Sequence, residues 1–117
     1  MVSIDNNNGH ISISREVFSN LAGDAATNCF GVKGMAARSV GDGFYHLLRR
    51  ESVSKGVKVG FHQDGSISID LHIVVDSGVN LTTVGNSIIS EVRYVVEKCT
   101  GTRVRKVNVY IDSMVVG

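Results

Sequence analysis

The sequence predicts an α+β domain. Its expected form is a two-layer sandwich, with a mixed sheet of about four strands carrying helices on one face, in the order β-α-(α)-β-β-α-β. Three observations lead there. Residues 57 to 71, VKVGFHQDGSISIDL, alternate strictly around an Asp-Gly turn. From Leu81 to Cys99 apolar residues recur at spacings of three and four, which marks a long one-sided helix. The outward positions of the hairpin and of the final alternating run are mostly polar, so helices cover one side of the sheet only.

At 117 residues the chain fits a single domain, residues 1–117, able to bury about two-thirds of its extended surface. It is 43% hydrophobic and 20% charged with a net charge of +1. The molecule as a whole therefore offers no strong field for nucleic acid or an anionic membrane. No apolar run reaches the ~18 residues a membrane-crossing helix needs. The opening MVSIDNNNGH has neither the basic start nor the apolar segment of a signal peptide, which predicts a cytoplasmic protein with a flexible lead over residues 1–9. Proline is absent, so turns rest on the thirteen glycines.

Taken in order, His10 to Ser14 alternates as a short strand, with Ile11 and Ile13 on one side. The Ser14 hydroxyl is placed to cap a helix, and Glu16 sits well against the positive end of its dipole. Val17, Phe18, Leu21, Ala22, Ala25 and Cys29 form its apolar stripe, and Gly31 stops it. Residues 31–56 predict a mobile loop with a short helix ending near Arg50. Val40, Phe44, Leu47 and Leu48 share its face, while Gly41 and Gly43 weaken it by about 1 kcal/mol each.

Parity sets the hairpin. Val57, Val59, Phe61, Ile67, Ile69, Leu71 and Ile73 are all odd-numbered. A two-residue Asp64-Gly65 loop would place Phe61 opposite Ser68, on the wrong face. A three-residue loop, Gln63-Asp64-Gly65, pairs Phe61 with Ile67 and Val59 with Ile69, and puts Gly65 where a left-handed residue is needed. His62 then lies beside the turn and His72 at the far end, on the order of 20 Å apart along the strand. The hairpin alone therefore makes no two-histidine metal site.

Asp76 to Asn80 is a turn, and Asn80 or Thr82 caps the long helix. Its stripe is Leu81, Val84, Ile88, Val92, Val95 and Cys99, widened by Ile89 and Val96, with a stop at Thr100-Gly101. A last strand runs from Val104 to Val116 with Val107, Val109 and Ile111 facing in. The stretch from Ile67 to Ile111 predicts a right-handed crossover between parallel strands. The outer face carries Lys58, His62, Ser66, Ser68, Asp70, His72, Lys106, Asn108, Tyr110 and Asp112.

No nucleophile elbow, zinc-protease or phosphate-loop motif organises the Ser, His and Asp residues, so no catalytic, metal or cofactor site is expected. Cys29 and Cys99 lack metal-ligand spacing and end apolar stripes, which predicts buried, unreactive thiols. Binding has two sequence supports. Strand edges without proline can accept a strand from another chain, and Lys106, Asn108, Tyr110 and Asp112 would then face a partner. Alternatively, Gly31-Val-Lys-Gly34 between two helical segments has the order of a type I KH domain. That loop would use Gly31, Lys33, Gly34 and Arg38 on nucleic acid. Lys33, Arg38, Arg49, Arg50, Lys55 and Lys58 stand there against Asp42 and Glu51, a local charge of +4.

GHISISREVFSNLAGDAA, GVKGMA, KGVKV, DGSISIDLHIVVDSGVNL, EVRYVVEKCTG and VRKVNVYIDSM, in that order, resemble the alkaline shock protein/Gls envelope stress response family of Gram-positive bacteria. The resemblance covers nearly the whole chain. Its most specific parts are the Asp-Gly hairpin, Gly78 to Leu81 leading into the long helix, and Val107-Asn-Val109. Position 15 departs from it: Arg15 stands where family members often have proline. The resemblance implies a non-enzymatic cytoplasmic scaffold linked to envelope stress, with no cofactor and no direct membrane insertion. Such a protein self-associates and gathers at the inner face of the membrane through a membrane-anchored partner. MAARSVGDGFYHLLRRESVSKGV resembles a branch found beside kinase-like genes of fatty-acid or dihydroxyacetone metabolism, which implies a further alternative, an accessory of such a kinase.

Overall fold

A computed structural model describes residues 1–38, 45–47 and 56–116. Along the chain these form β1 (Val2–Asn6), β2 (Gly9–Ile13), α1 (Arg15–Thr27), β3 (Val32–Arg38), β4 (Tyr45–Leu47), β5 (Val57–Phe61), β6 (Ile67–Asp76), α2 (Leu81–Thr100) and β7 (Val104–Val115). The class is α+β with a mixed sheet, as the patterning predicts.

The hairpin takes the predicted register, with Phe61 opposite Ile67, Val59 opposite Ile69 and Lys58 opposite Asp70. Its turn closes where His62 N–H donates to Ser66 C=O at 3.0 Å and Gly65 N–H to His62 C=O at 3.1 Å. Gly65 has φ +86°, a value that L side chains rarely adopt.

β6 is the spine of the sheet. β7 runs parallel to it over its whole length, while β5 pairs antiparallel with residues 67–71 and β3 antiparallel with 73–75. Since β7 occupies one edge of β6 throughout, β5 and β3 must share the other, end to end. Gly56 lies at their seam, where an added Cβ would sit 2.8 Å from Ala36 O and 3.1 Å from His72 O. β3 also pairs with β4, Ala36 opposite Leu47.

The odd-numbered β6 residues Ile67, Ile69, Leu71 and Ile73 are fully buried. They meet Phe18, Ala22 and Ala26 of α1 and Val84, Ile88, Val92 and Val96 of α2 in one core cluster. Both helices thus lie on the odd face. Asn80 caps α2 by accepting from Thr83 N–H at 3.0 Å, and Gly101, at φ 72°, ends it with its N–H on Glu97 C=O. Ser14 occupies the N-cap of α1 without a side-chain bond; its carbonyl accepts from Val17 N–H instead.

Several expectations are corrected. Residues 2–6 are a strand, not a flexible lead: β1 pairs with β2 around Asn7-Asn8, and Val2 reaches the core. Residues 32–38, expected as mobile loop, are β3, because Met35 and Ala36 are buried and Gly34 pairs with Val74. Tyr45–Leu47, expected within a short helix, are β4; Val40, Phe44, Leu48, Arg49 and Arg50 lie outside the described residues. Cys99 and Leu81 are exposed: α2 buries Val84, Ile88, Val92 and Val96, with Ile89 and Val95 packed beside them as expected, and the two end positions of the stripe fall outside the core. The final strand shifts register against β6 twice, at 67/68 and 73/74.

Candidate interaction surface

The face of the sheet away from the helices is lined by side chains from β5, β6 and β7 that bond to one another. Register sets Asp70 beside Asn108 and His72 beside Tyr110. Asn108 Nδ2 donates to Asp70 Oδ1 at 2.8 Å. The His72 and Tyr110 rings stack 4.8 Å apart and 14° from parallel, and His72 Nδ1 lies 2.8 Å from Asp112 Oδ2. His62 Nε2 meets Ser68 Oγ at 2.6 Å. Tyr110 remains 45% exposed and Lys106 is exposed. Three of the four residues expected on a partner surface, Asn108, Tyr110 and Asp112, are thus held in fixed poses by β6, while Lys106 is exposed on the same face.

At the turn end, Ser66 donates its hydroxyl to Asp64 at 2.6 Å and its N–H at 3.0 Å. Arg103 and Arg105 lie 3.1 and 3.9 Å from the other carboxylate oxygen. The Ser66 hydroxyl first, then its amide and the two guanidinium groups, hold the Asp64 carboxyl down at about 2. Burial first, with Glu91 adding to it, pushes the Cys29 thiol up. Among the described residues no three His, Cys, Asp or Glu side chains come together as a metal site.

The two outer edges of the sheet differ. Along β5, Arg15 donates to the Val59 carbonyl and lies over the Phe61 ring, 4.7 Å from its centroid. Arg15 thereby occupies one carbonyl of that edge. On β7 only the first residue is closed: Val104 N–H donates to Glu97 Oε2 at 2.9 Å and its carbonyl accepts from Arg93 at 2.8 Å. Beyond it, β7 pairs with β6 alone among the described residues. A groove of about 290 Å³ lies between β7 and α2, lined by Leu81, Gly85, Ile89, Val109 and Ile111. Sequence reading foresaw open edges but not these side-chain clamps, which join residues 44 and 7–11 positions apart.

Gly31 to Gly34 do not form a loop between two helices; they lead from α1 into β3. Gly31 is left-handed at φ +88° and its carbonyl accepts from Asp76 N–H. Lys33 pairs with Asp76 at 3.4 Å, Gly34 is registered with Val74, and Arg38 with Tyr45. A loop that clamps a phosphate backbone needs free amides, and here Val32 and Gly34 are registered with β6.

The fold and surface define a small α+β domain whose sheet is covered on one face and polar on the other. Residues 3–116 match the ASP23 (alkaline shock protein) family, described as having a cell envelope-related function, and the chain belongs to that family. It is 38% identical to the uncharacterized protein YloU of Bacillus subtilis over 108 residues, covering 91% of this chain and 88% of that one. It is 37% identical to the uncharacterized protein Spy1614 of Streptococcus pyogenes over 114 residues, 97% and 93% of the two chains. In fold it is similar to a manganese form of a MamM CTD variant, at TM-score 0.50 and 19% identity over 86% of this chain and 99% of that one. A second MamM CTD variant aligns at TM-score 0.52 and 19% identity, over 87% and 95%. No helix among the described residues is long and apolar enough to cross a membrane.

Proposed function

We propose that the protein is a non-enzymatic cytoplasmic scaffold of the cell envelope, working by self-association and by contacts with other proteins near the membrane. The observation that supports this most is the face of β6 and β7 turned away from α1 and α2. There, polar side chains are fixed by one another rather than left to solvent, so a partner meets a surface whose rotamers are already ordered and the entropy lost on docking is small. Tyr110, exposed yet stacked on His72, is a rigid amphipathic anchor of the kind that dominates interfaces.

Light scattering of the full chain across concentration tests the first half, with a rise in mass expected. Cross-linking in cells followed by isolation of the membrane fraction tests the second. The wild-type chain should give a defined adduct there that Tyr110→Asp loses while keeping its fold. A strict monomer with no adduct sensitive to Tyr110 overturns the reading.

A further inference from the structure

We infer that the open edge of β7 is a self-recognition edge: a second copy pairs its own β7 antiparallel to it, about a two-fold axis through Val109. The inference rests on the self-association reading above and supplies its geometry.

The backbone comes first. Ile67 N–H donates to Arg103 C=O and Ser77 N–H to Val115 C=O, so odd-numbered β6 residues direct their peptide groups to β7. In a parallel ladder such a residue bonds to the two residues flanking its partner. Ile69, Leu71 and Ile73 are registered with Val107, Val109 and Ile111. Those three therefore turn their own N–H and C=O groups outward, to the edge that beyond Val104 has no strand partner among the described residues. A run of unpaired groups on an extended strand is a template for another strand.

The side chains decide what fits. Antiparallel pairing centred on Val109 sets Val107 opposite a second copy's Ile111, and Val109 opposite itself. All three outward-facing residues then meet outward-facing residues, and each inward side chain meets an inward one. Lys106 comes opposite a second copy's Asp112, the partner of His72, so opposite charges face each other at both ends of the contact. An isologous contact requires this self-complementarity. The axis stands perpendicular to the sheet, so both copies keep their helices on the same side. The two grooves of Leu81, Gly85, Ile89, Val109 and Ile111 then merge, and half-exposed apolar side chains are covered. Arg15 occupies the Val59 carbonyl on β5, and Glu97 and Arg93 occupy both backbone groups of Val104 at the start of β7, so the register cannot slide over that first residue.

Three variants of the full chain and one control test this by sedimentation and cross-linking. Val109→Pro removes an outward N–H that β6 does not use, a position where an edge strand tolerates proline, and should weaken association at least about tenfold. Lys106→Glu, on an exposed side chain, sets like charges opposite and should weaken it in a salt-dependent manner. Val109→Cys, in a Cys29→Ser, Cys99→Ser background, should form a disulfide-linked dimer on mild oxidation, since directly opposed residues lie about 5.5 Å apart; Lys58→Cys in that background should not. A wild-type monomer at several hundred micromolar overturns the self-association reading and this inference with it. Association that survives Val109→Pro and Lys106→Glu, with no Val109→Cys cross-link, overturns the edge alone.

Discussion

Replacing Leu71 with alanine tests the parity on which the two-layer architecture depends. Leu71 is fully buried in the middle of β6, registered with Val57 on one side and Val109 on the other. The substitution removes three buried carbons, about 2.4 kcal/mol of transfer free energy at about 0.8 per carbon, and leaves a cavity. Closely packed neighbours on both strands and in α2 limit collapse into it, so the total should reach about 3 to 4 kcal/mol. Lys58 of the adjacent strand points to the opposite, exposed face, and Lys58→Ala should change stability by less than about 0.5 kcal/mol. Urea unfolding followed by circular dichroism separates the two. With a slope of about 1.5 kcal/mol per molar, the Leu71→Ala midpoint falls by about 2 M and the Lys58→Ala midpoint hardly moves. Equal shifts, or a Leu71→Ala loss below about 1 kcal/mol, would refute the assignment of odd residues to the core.

Further outcomes follow from the site chemistry. The folded Asp64 carboxyl titrates at about 2 against an ordinary 3.8, so its ionised form is favoured by folding. That contribution is complete above the ordinary value and is lost as pH falls from about 4 toward 2. An NMR titration should find the Asp64 midpoint near 2, and a midpoint near 4 would show that Ser66 and the two arginines do not hold it. Cys99 is exposed, whereas Cys29 is half-buried, donates to Ala25 C=O at 3.4 Å and has a raised thiol pKa. Because the thiolate is the nucleophile, a thiol-specific reagent at neutral pH should modify Cys99 at least about tenfold faster; equal rates would contradict the packing of Cys29 at the end of α1.

What the sequence disclosed follows periodicity. The β5–β6 register, the Gly65 turn, the Asn80 cap, the Gly101 stop and the β6–α2–β7 crossover between parallel strands all rest on local patterns of two or 3.6 residues, and all appear as expected. The segment from Gly31 to Arg38 did not, for a physical reason. GVKGMAAR has two glycines and two alanines, low strand propensity and no alternation, and becomes a strand because β6 offers it a free edge above Leu71. Tertiary pairing of this kind leaves no local signal. The β1–β2 pair was legible in retrospect: Val2 and Ile4 alternate with polar residues and Asn7-Asn8 is turn chemistry, but ten residues of mostly polar sequence read equally well as a lead. On the candidate surface, the identities of Lys106, Asn108, Tyr110 and Asp112 were visible from parity. Their bonds to Asp70 and His72 were not, since these depend on the register of two strands 38 to 40 residues apart. Cys99 is exposed for a related reason: the stripe of α2 extends one position past the part of the helix that the sheet covers.

Gly56 brings these strands together, and it yields the sharpest backbone test. β5 and β3 abut along one edge of β6, and at their junction the chain must pass between the carbonyls of Ala36 and His72. An alanine Cβ there would stand 2.8 Å from one oxygen, 3.1 Å from the other and 3.0 Å from the Met35 Cβ. Two of these are backbone atoms already committed to the sheet, so relief requires strands to part rather than a side chain to turn. Gly56→Ala should therefore cost about 2 kcal/mol or more, toward the upper end of overpacking effects. Gly60, four residues further on and inside β5, has nothing within 4 Å of its added Cβ. There alanine restricts the unfolded chain without a clash and should leave stability unchanged or raise it slightly. If both substitutions are equally mild in thermal unfolding, β3 and β5 do not meet at Gly56, and the edge of β6 opposite β7 is built differently from the one described.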